Sequence, residues 1–253
     1  MTARRYLDAI SDKLAQLGQE APVIQQAAEL CAETIARGGV VHVFGAGHSR
    51  MMAEEAYPRI GAVVGFHPIV ELAVTYFHTI NGPNGLRQAL FLERVPGYGR
   101  VIFGECGSRP GDATIVFSSS GVEHIIMDYV AAAQAAQVKV IGVTSKAYSS
   151  VASAERSDAP RLYDVADIAI DNHVPVGDAL IDCDGLDQRV GASASILNLA
   201  VMDAITAGTA QGLLDRGVEP LVFSSPHLAG AANSEARMTQ CLEEYDRRVT
   251  QRS

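Results

Sequence analysis

Val40-Val41-His42-Val43-Phe44-Gly45-Ala46-Gly47-His48-Ser49-Arg50 joins an apolar run to a glycine turn and a polar trio. Glycines at 45 and 47 let the backbone bend sharply. A helix opening near Ser49 then offers N–H groups with no partner inside the helix, and such groups hold anions. Ordinary strand-to-helix turns favour glycine too, so this stretch alone is weak evidence. A second one strengthens it. Ser118-Ser119-Ser120-Gly121 follows the apolar run Ala113 to Phe117 and precedes a helical pattern through Ile125, Ile126, Tyr129, Val130 and Ala133. Serine clusters are common in turns and at helix N-caps. Two small-residue loops in matching positions say more: they point to one tetrahedral anion held by backbone N–H groups, the Ser49 hydroxyl and the serines of 118–120. Arg50 fits that picture, because a cation in a helix's first turn opposes the macrodipole unless an anion offsets it. An arginine that simply points away explains it equally well.

The two loops need strands to leave and helices to enter. Apolar spacings predict two helices over residues 3–37, broken near Gln19 to Pro22 and closed by Arg37-Gly38-Gly39. After the strand Val40 to Phe44, a helix is expected from Ser49 to about Arg59, then a short strand Ala62 to Phe66. An irregular connection over 67–82 carries His67, Glu71 and His78, with a turn at Asn81-Gly82-Pro83-Asn84-Gly85. A short helix is expected over Leu86 to Arg94, while Gly97 to Cys106 has no clear pattern. Further strands are expected at Ala113 to Phe117, Val138 to Val143 and Ala166 to Ile170. A loop-rich, acidic stretch spans 171–192, and helices are expected over Ser193 to Leu214 and Glu235 to Arg248. This alternation predicts a parallel sheet with helices on both faces. Right-handed crossovers put the loops after the strands on one edge, where open α/β sheets bind ligands. The expectation is one domain, 1–253, with an N-terminal helical hairpin (1–37), a core (40–215) and a C-terminal helix (233–250).

Composition narrows the function. A net charge of −9 argues against a nucleic-acid partner but not against a small anion held by dipoles and hydroxyls. Neither a long apolar run nor an N-terminal apolar stretch is present, so no membrane span and no secretory signal are expected. The four cysteines form no C-x-x-C pair, which fits a reduced, cytoplasmic protein. Gly45-Ala46-Gly47 is half of a dinucleotide fingerprint, but Arg50 stands where the third glycine belongs. No Walker loop occurs either, and no cofactor is expected.

The glycine and serine loops, each leaving a strand, resemble those of the SIS (sugar isomerase) family of phosphosugar-binding domains. The likeness is strongest to a branch typified by G-x-G-H-S followed by A-E-E, here Gly45 to Ser49 and Ala53-Glu54-Glu55. Further similarity lies in Leu92-Glu93-Arg94, Pro110-Gly111-Asp112, Val143-Thr144-Ser145 and Pro175-Val176-Gly177-Asp178. The resemblance implies a three-layer α/β/α sandwich with a five-stranded parallel sheet. It also implies a homodimer or homotetramer and a small anionic sugar, phosphorylated or sulfonated, as ligand. The binding set is Gly45, Gly47, Ser49, Arg50, Ser118, Ser119, Ser120, Gly121, Thr144, Ser145 and Ser193. Two departures stand out: Ser119 replaces a frequent Asn or Thr, and Gly191-Ala192-Ser193-Ala194-Ser195 replaces Gly-Pro-x-Ser-Thr.

The activity expected from this resemblance is aldose–ketose isomerisation, in which a base moves a proton between adjacent sugar carbons. Glu54 and Glu55 would lie about 8 Å along the helix from its anion-binding end. They diverge by roughly 100°, so only one can face the ligand. His48 is a second candidate, as a donor to the anion or a proton shuttle. Glutamates side by side on a helix, and a histidine in a turn, also occur as plain surface and structural residues. His67 and His78 are candidate metal ligands, although His67-Pro68 disfavours the helix that would align them. Asp178, Asp182 and Asp184 either close the pocket or keep a loop soluble. The rival readings are a lyase or etherase of the same fold and a non-catalytic sugar-phosphate sensor.

Overall fold

A computed structural model describes residues 1–75, 84–152, 160–225 and 231–250. Helices α1 (Thr2–Leu17) and α2 (Ala21–Ala36) are joined by a 3₁₀ turn, with Pro22 in the first turn of α2, where its missing N–H is harmless. Strand β1 (Val41–Gly45) is buried throughout. A 3₁₀ turn over Gly47–Arg50 then leads into the short helix α3 (Met51–Ala56). The helix expected to reach Arg59 stops here because Pro58 follows. A residue before proline is driven out of the helical region, and Tyr57 is extended at φ −172°, ψ 143°.

The next strand is also displaced from expectation. β2 spans Phe66–Ile69, whereas Ala62 to Val64 pair with the segment around 222 instead: Val64 N donates to Leu221 O at 2.9 Å and Phe223 N to Ala62 O at 3.1 Å. Helix α4 (Asn84–Leu92) follows, and α5 (Tyr98–Glu105) occupies the stretch that has no clear pattern. Next come β3 (Ala113–Phe117), α6 (His124–Ala135), β4 (Lys139–Thr144), α7 (Lys146–Val151), α8 (Leu162–Val165) and β5 (Ile168–Asp171). A two-stranded antiparallel ribbon, β6 (Ala179–Ile181) with β7 (Val190–Ala192), lies within the loop-rich stretch. Helices α9 (Ala194–Asp215) and α10 (Ala231–Val249) complete the described chain.

The main sheet has strand order β2-β1-β3-β4-β5, parallel throughout. Alternate residues serve opposite faces, as the pleat requires. Val41, Val43, Ile115, Phe117, Ile141 and Val143 pack with α2 and α9 residues such as Cys31, Ile35, Leu197, Val201 and Ile205. Phe44, Val116 and Val140 pack on the other side against Ile102, Ile126, Tyr129 and Leu162, with the Tyr129 ring stacked on Phe44 at 4.3 Å. The expected three-layer α/β/α sandwich is therefore the observed one. A smaller cluster of Tyr57, Ala62, Val64, Phe223 and Cys241 packs α10 against the segment that follows α3. Among the described residues no helix is long and apolar enough to cross a membrane.

Candidate functional site

Strand order reverses direction at β1: β2 lies on one side of it and β3 on the other. A crevice opens beyond the carboxyl ends of the two strands at such a switch point, and it is the favoured ligand position in open α/β sheets. Here Gly45 and Phe117, the last residues of β1 and β3, are paired in register. Their following loops are therefore neighbours, and a cleft of about 260 Å³ lies over them. Ala46, His48 and Ser49 line it from the first loop, Ser118, Ser119 and Ser120 from the second. Phe117 and Ile126 supply its apolar surface, and Glu93, Glu123, Tyr148 and Asp178 its remaining polar groups.

Local geometry explains the glycines. A Cβ at Gly45 would lie 2.6 Å from the Ser49 carbonyl carbon, because the 3₁₀ turn folds back over the strand end. Gly47 has φ +56° and Gly121 φ +63°, a region that side chains disfavour. Gly121 also packs where a Cβ would meet Thr144 Oγ1 at 2.9 Å.

In the second loop, Gly121 N donates to Ser118 Oγ at 2.9 Å, and Ser118 Oγ lies 3.3 Å from Ser120 Oγ. The hydroxyls of Ser49 and Ser119 make no hydrogen bond within the described residues. Among the described residues they are donors without a protein acceptor.

The other expected binding residues shape the site without lining it. Thr144 is buried and donates to Ser119 O at 3.4 Å, supporting the serine loop from below. The Ser145 hydroxyl donates to Val174 O at 2.6 Å and accepts from Tyr148 N at 3.0 Å, so it caps α7. Ser193 is buried against Asp178, which accepts from Ser193 N at 2.8 Å and Ala194 N at 2.7 Å and so caps α9. Arg50 donates to Gly47 O at 3.1 Å and its Nε is 3.4 Å from Glu54 Oε1, which makes it a staple of the turn.

Glu54 and Glu55 do not line the cleft. Glu54 is half-exposed beside Arg50, and Glu55 is ion-paired with Arg59. The reason is the 3₁₀ turn: it advances three residues per turn, so counting a regular helix from Ser49 misplaces the faces that follow. The carboxylates in the cleft come from elsewhere, Glu93 just beyond α4, Glu123 before α6 and Asp178 before β6. His67 is on β2, away from the cleft, and its Nδ1 shares a 2.6 Å hydrogen bond with the Tyr245 hydroxyl. His78 lies outside the described residues. Among those described, no three histidine, cysteine or acidic side chains gather as a metal site.

A family profile described as the SIS domain matches residues 5–145. The chain is 33% identical over 248 residues to UPF0309 protein SCO4393 of Streptomyces coelicolor, covering 98% of this chain and 96% of that one. It is 29% identical over 233 residues to UPF0309 protein Lm4b_02611 of Listeria monocytogenes, covering 92% and 91%. The chain belongs to the SIS-domain family. A solved phosphoheptose isomerase from Francisella tularensis aligns with a TM-score of 0.51 at 17% identity, covering 83% of this chain and 100% of that one. That likeness is one of fold.

Within this SIS domain, three polar residues of the cleft have no site role in the sequence reading, although Glu93 stands in the Leu92-Glu93-Arg94 stretch of the resemblance. Glu93 is only 7% exposed, and its carbonyl accepts from Ile125 N at 3.0 Å, which ties the end of α4 to the start of α6. Nothing in its local sequence announces that contact. Tyr148 arrives on α7, in a stretch that reads as loop. Glu123 did carry a signal: it follows Ser120 by three residues, a spacing at which a carboxylate reaches back to a turn hydroxyl.

Proposed function

We propose that this SIS domain binds the anionic end of a phosphorylated sugar in the cleft beyond β1 and β3 and interconverts its aldose and ketose forms. The observation that carries this reading is the company the buried Glu93 keeps. It shares one small cleft with two serine hydroxyls that have no acceptor among the described residues and a loop of small residues. In this reading Ser49, Ser119 and the backbone of both loops hold the anion. Glu93 removes the proton from the carbon beside the carbonyl and returns it to the adjacent carbon. His48 carries the hydroxyl proton between the two oxygens, and Tyr148 donates to the oxygen that gains charge in the enediolate.

The test is incubation with a panel of hexose and heptose phosphates in D₂O, read by NMR. Exchange at the carbon next to the carbonyl is expected for at least one sugar, and Glu93→Gln should slow it at least a hundredfold. Absence of exchange across the panel, or exchange that Glu93→Gln leaves untouched, overturns the assignment.

A further inference from the structure

Glu123 already occupies the serine loop. Ser118 Oγ donates to its Oε2 at 2.9 Å, and Ser120 Oγ donates to its Oε1. Two of the loop's three side-chain donors are therefore engaged by an internal anion. Among the described residues, those lining the cleft include no lysine or arginine, while Glu93, Glu123 and Asp178 bring three carboxylates. An arriving anion meets these carboxylates and finds its cradle filled.

We propose that Glu123 is the specificity-determining residue of this cleft, standing where the ligand's anionic group goes and yielding only to a tetrahedral dianion. The inference rests on the anion-binding reading above. A carboxylate offers two oxygens in one plane, and here two hydroxyls satisfy them. A phosphate monoester offers three terminal oxygens and a larger charge. It engages the Ser118 and Ser120 hydroxyls and, in the same cleft, those of Ser49 and Ser119, which have no acceptor among the described residues. A carboxylate ligand only repeats what Glu123 provides, without the advantage of being tethered. The cleft thereby selects sugar phosphates over sugar acids.

Calorimetric titration with inorganic phosphate and with gluconate tests this on the full chain, its Glu123→Gln and Glu123→Ala variants, and a Ser49→Ala/Ser119→Ala double variant. The wild-type protein should bind phosphate and not gluconate. Phosphate should bind at least tenfold more tightly to Glu123→Ala and more tightly than wild type to Glu123→Gln, and Glu123→Ala should gain gluconate binding. Unchanged or weaker phosphate binding in Glu123→Gln, the shape-conserving variant, overturns the role of Glu123, as does gluconate binding by the wild type. The double variant separates the two readings. If it loses phosphate while the Glu123 variants gain nothing, Glu123's role alone falls. If wild type binds no phosphate, or the double variant binds it equally well, the anion cleft falls with it.

Discussion

At the amino edge of the sheet, Arg37, Arg109, Arg247 and Arg248 surround a depression of about 580 Å³ at Asp112, while the cleft at the carboxyl edge has less than half that volume and, among the described residues, no arginine in its lining. Size and positive charge both favour the amino edge as an anion site, yet three of its four arginines are tied into the surrounding structure. Arg37 pairs with Glu33, and Arg247 and Arg248 both pair with Glu244. Arg248 also donates to the carbonyls of Ile35 and Gly39, each at 3.0 Å, which docks the end of α10 onto the end of α2. Asp112 accepts from Val40 N and Arg109 N and faces His42 Nε2 at 3.4 Å. At the carboxyl edge, hydroxyls remain without acceptors. The two edges differ in kind: ion pairs and backbone bonds tie up most of one, and small residues with hydroxyls line the other.

Glycines give the largest contrast. Gly45→Ala drives a Cβ into the Ser49 backbone and should cost on the order of 3 kcal/mol in urea unfolding. Gly111→Ala, at φ +94° but in open space, should cost about 1–2 kcal/mol from backbone strain alone. Equal losses would erase the distinction.

Asp112→Ala comes next. It strands the Val40 and Arg109 N–H groups and should cost about 2–3 kcal/mol. Phosphate affinity should stay within about twofold of wild type, because this edge is structural. The Ser49→Ala/Ser119→Ala pair should show the reverse, under about 0.5 kcal/mol in stability with phosphate binding lost. Any other pairing of stability and binding breaks the comparison.

The smallest effect is a pH dependence. The Arg247 guanidinium, helped by Arg248 and opposed by burial, holds the Glu244 carboxyl below the usual carboxylate range. The folded protein thus favours the charged form. Its contribution is complete above the unfolded-state value and disappears as pH falls through the lower folded value. Wild type should exceed Glu244→Gln in stability by under about 1 kcal/mol near neutral pH, and the gap should close on acidification. A gap that persists into strong acid would remove Glu244 from the amino-edge network.

Those two edges were unequally legible in the sequence. The strands β1 and β3 and their loops could be read because apolar runs ending in small residues are local signals. The strand at 62–66 was displaced because Pro68 sits comfortably at a sheet border, which local pattern does not reveal. Helix α5 is hidden by Gly97, Gly99 and Gly104; Gly99 is there because a Cβ would run into the Ile125 carbonyl of α6. Regular helical counting from Ser49 favours Glu54 and Glu55, and a single 3₁₀ turn invalidates it. Glu93 depends on where α4 ends against α6, a contact across 32 residues of chain that no spacing rule encodes.

Pro68 has one more effect. Val41 N donates to Gly65 O, so odd-numbered residues of β2 direct their peptide groups toward β1 and even-numbered ones outward. Pro68 is thus an outward position with no hydrogen to donate. A foreign strand laid along this border would find its ladder interrupted at the middle of a four-residue strand. The residue that spoils a helix here also makes the border a poor template for aggregation, and keeps the sheet from growing by capture of another chain.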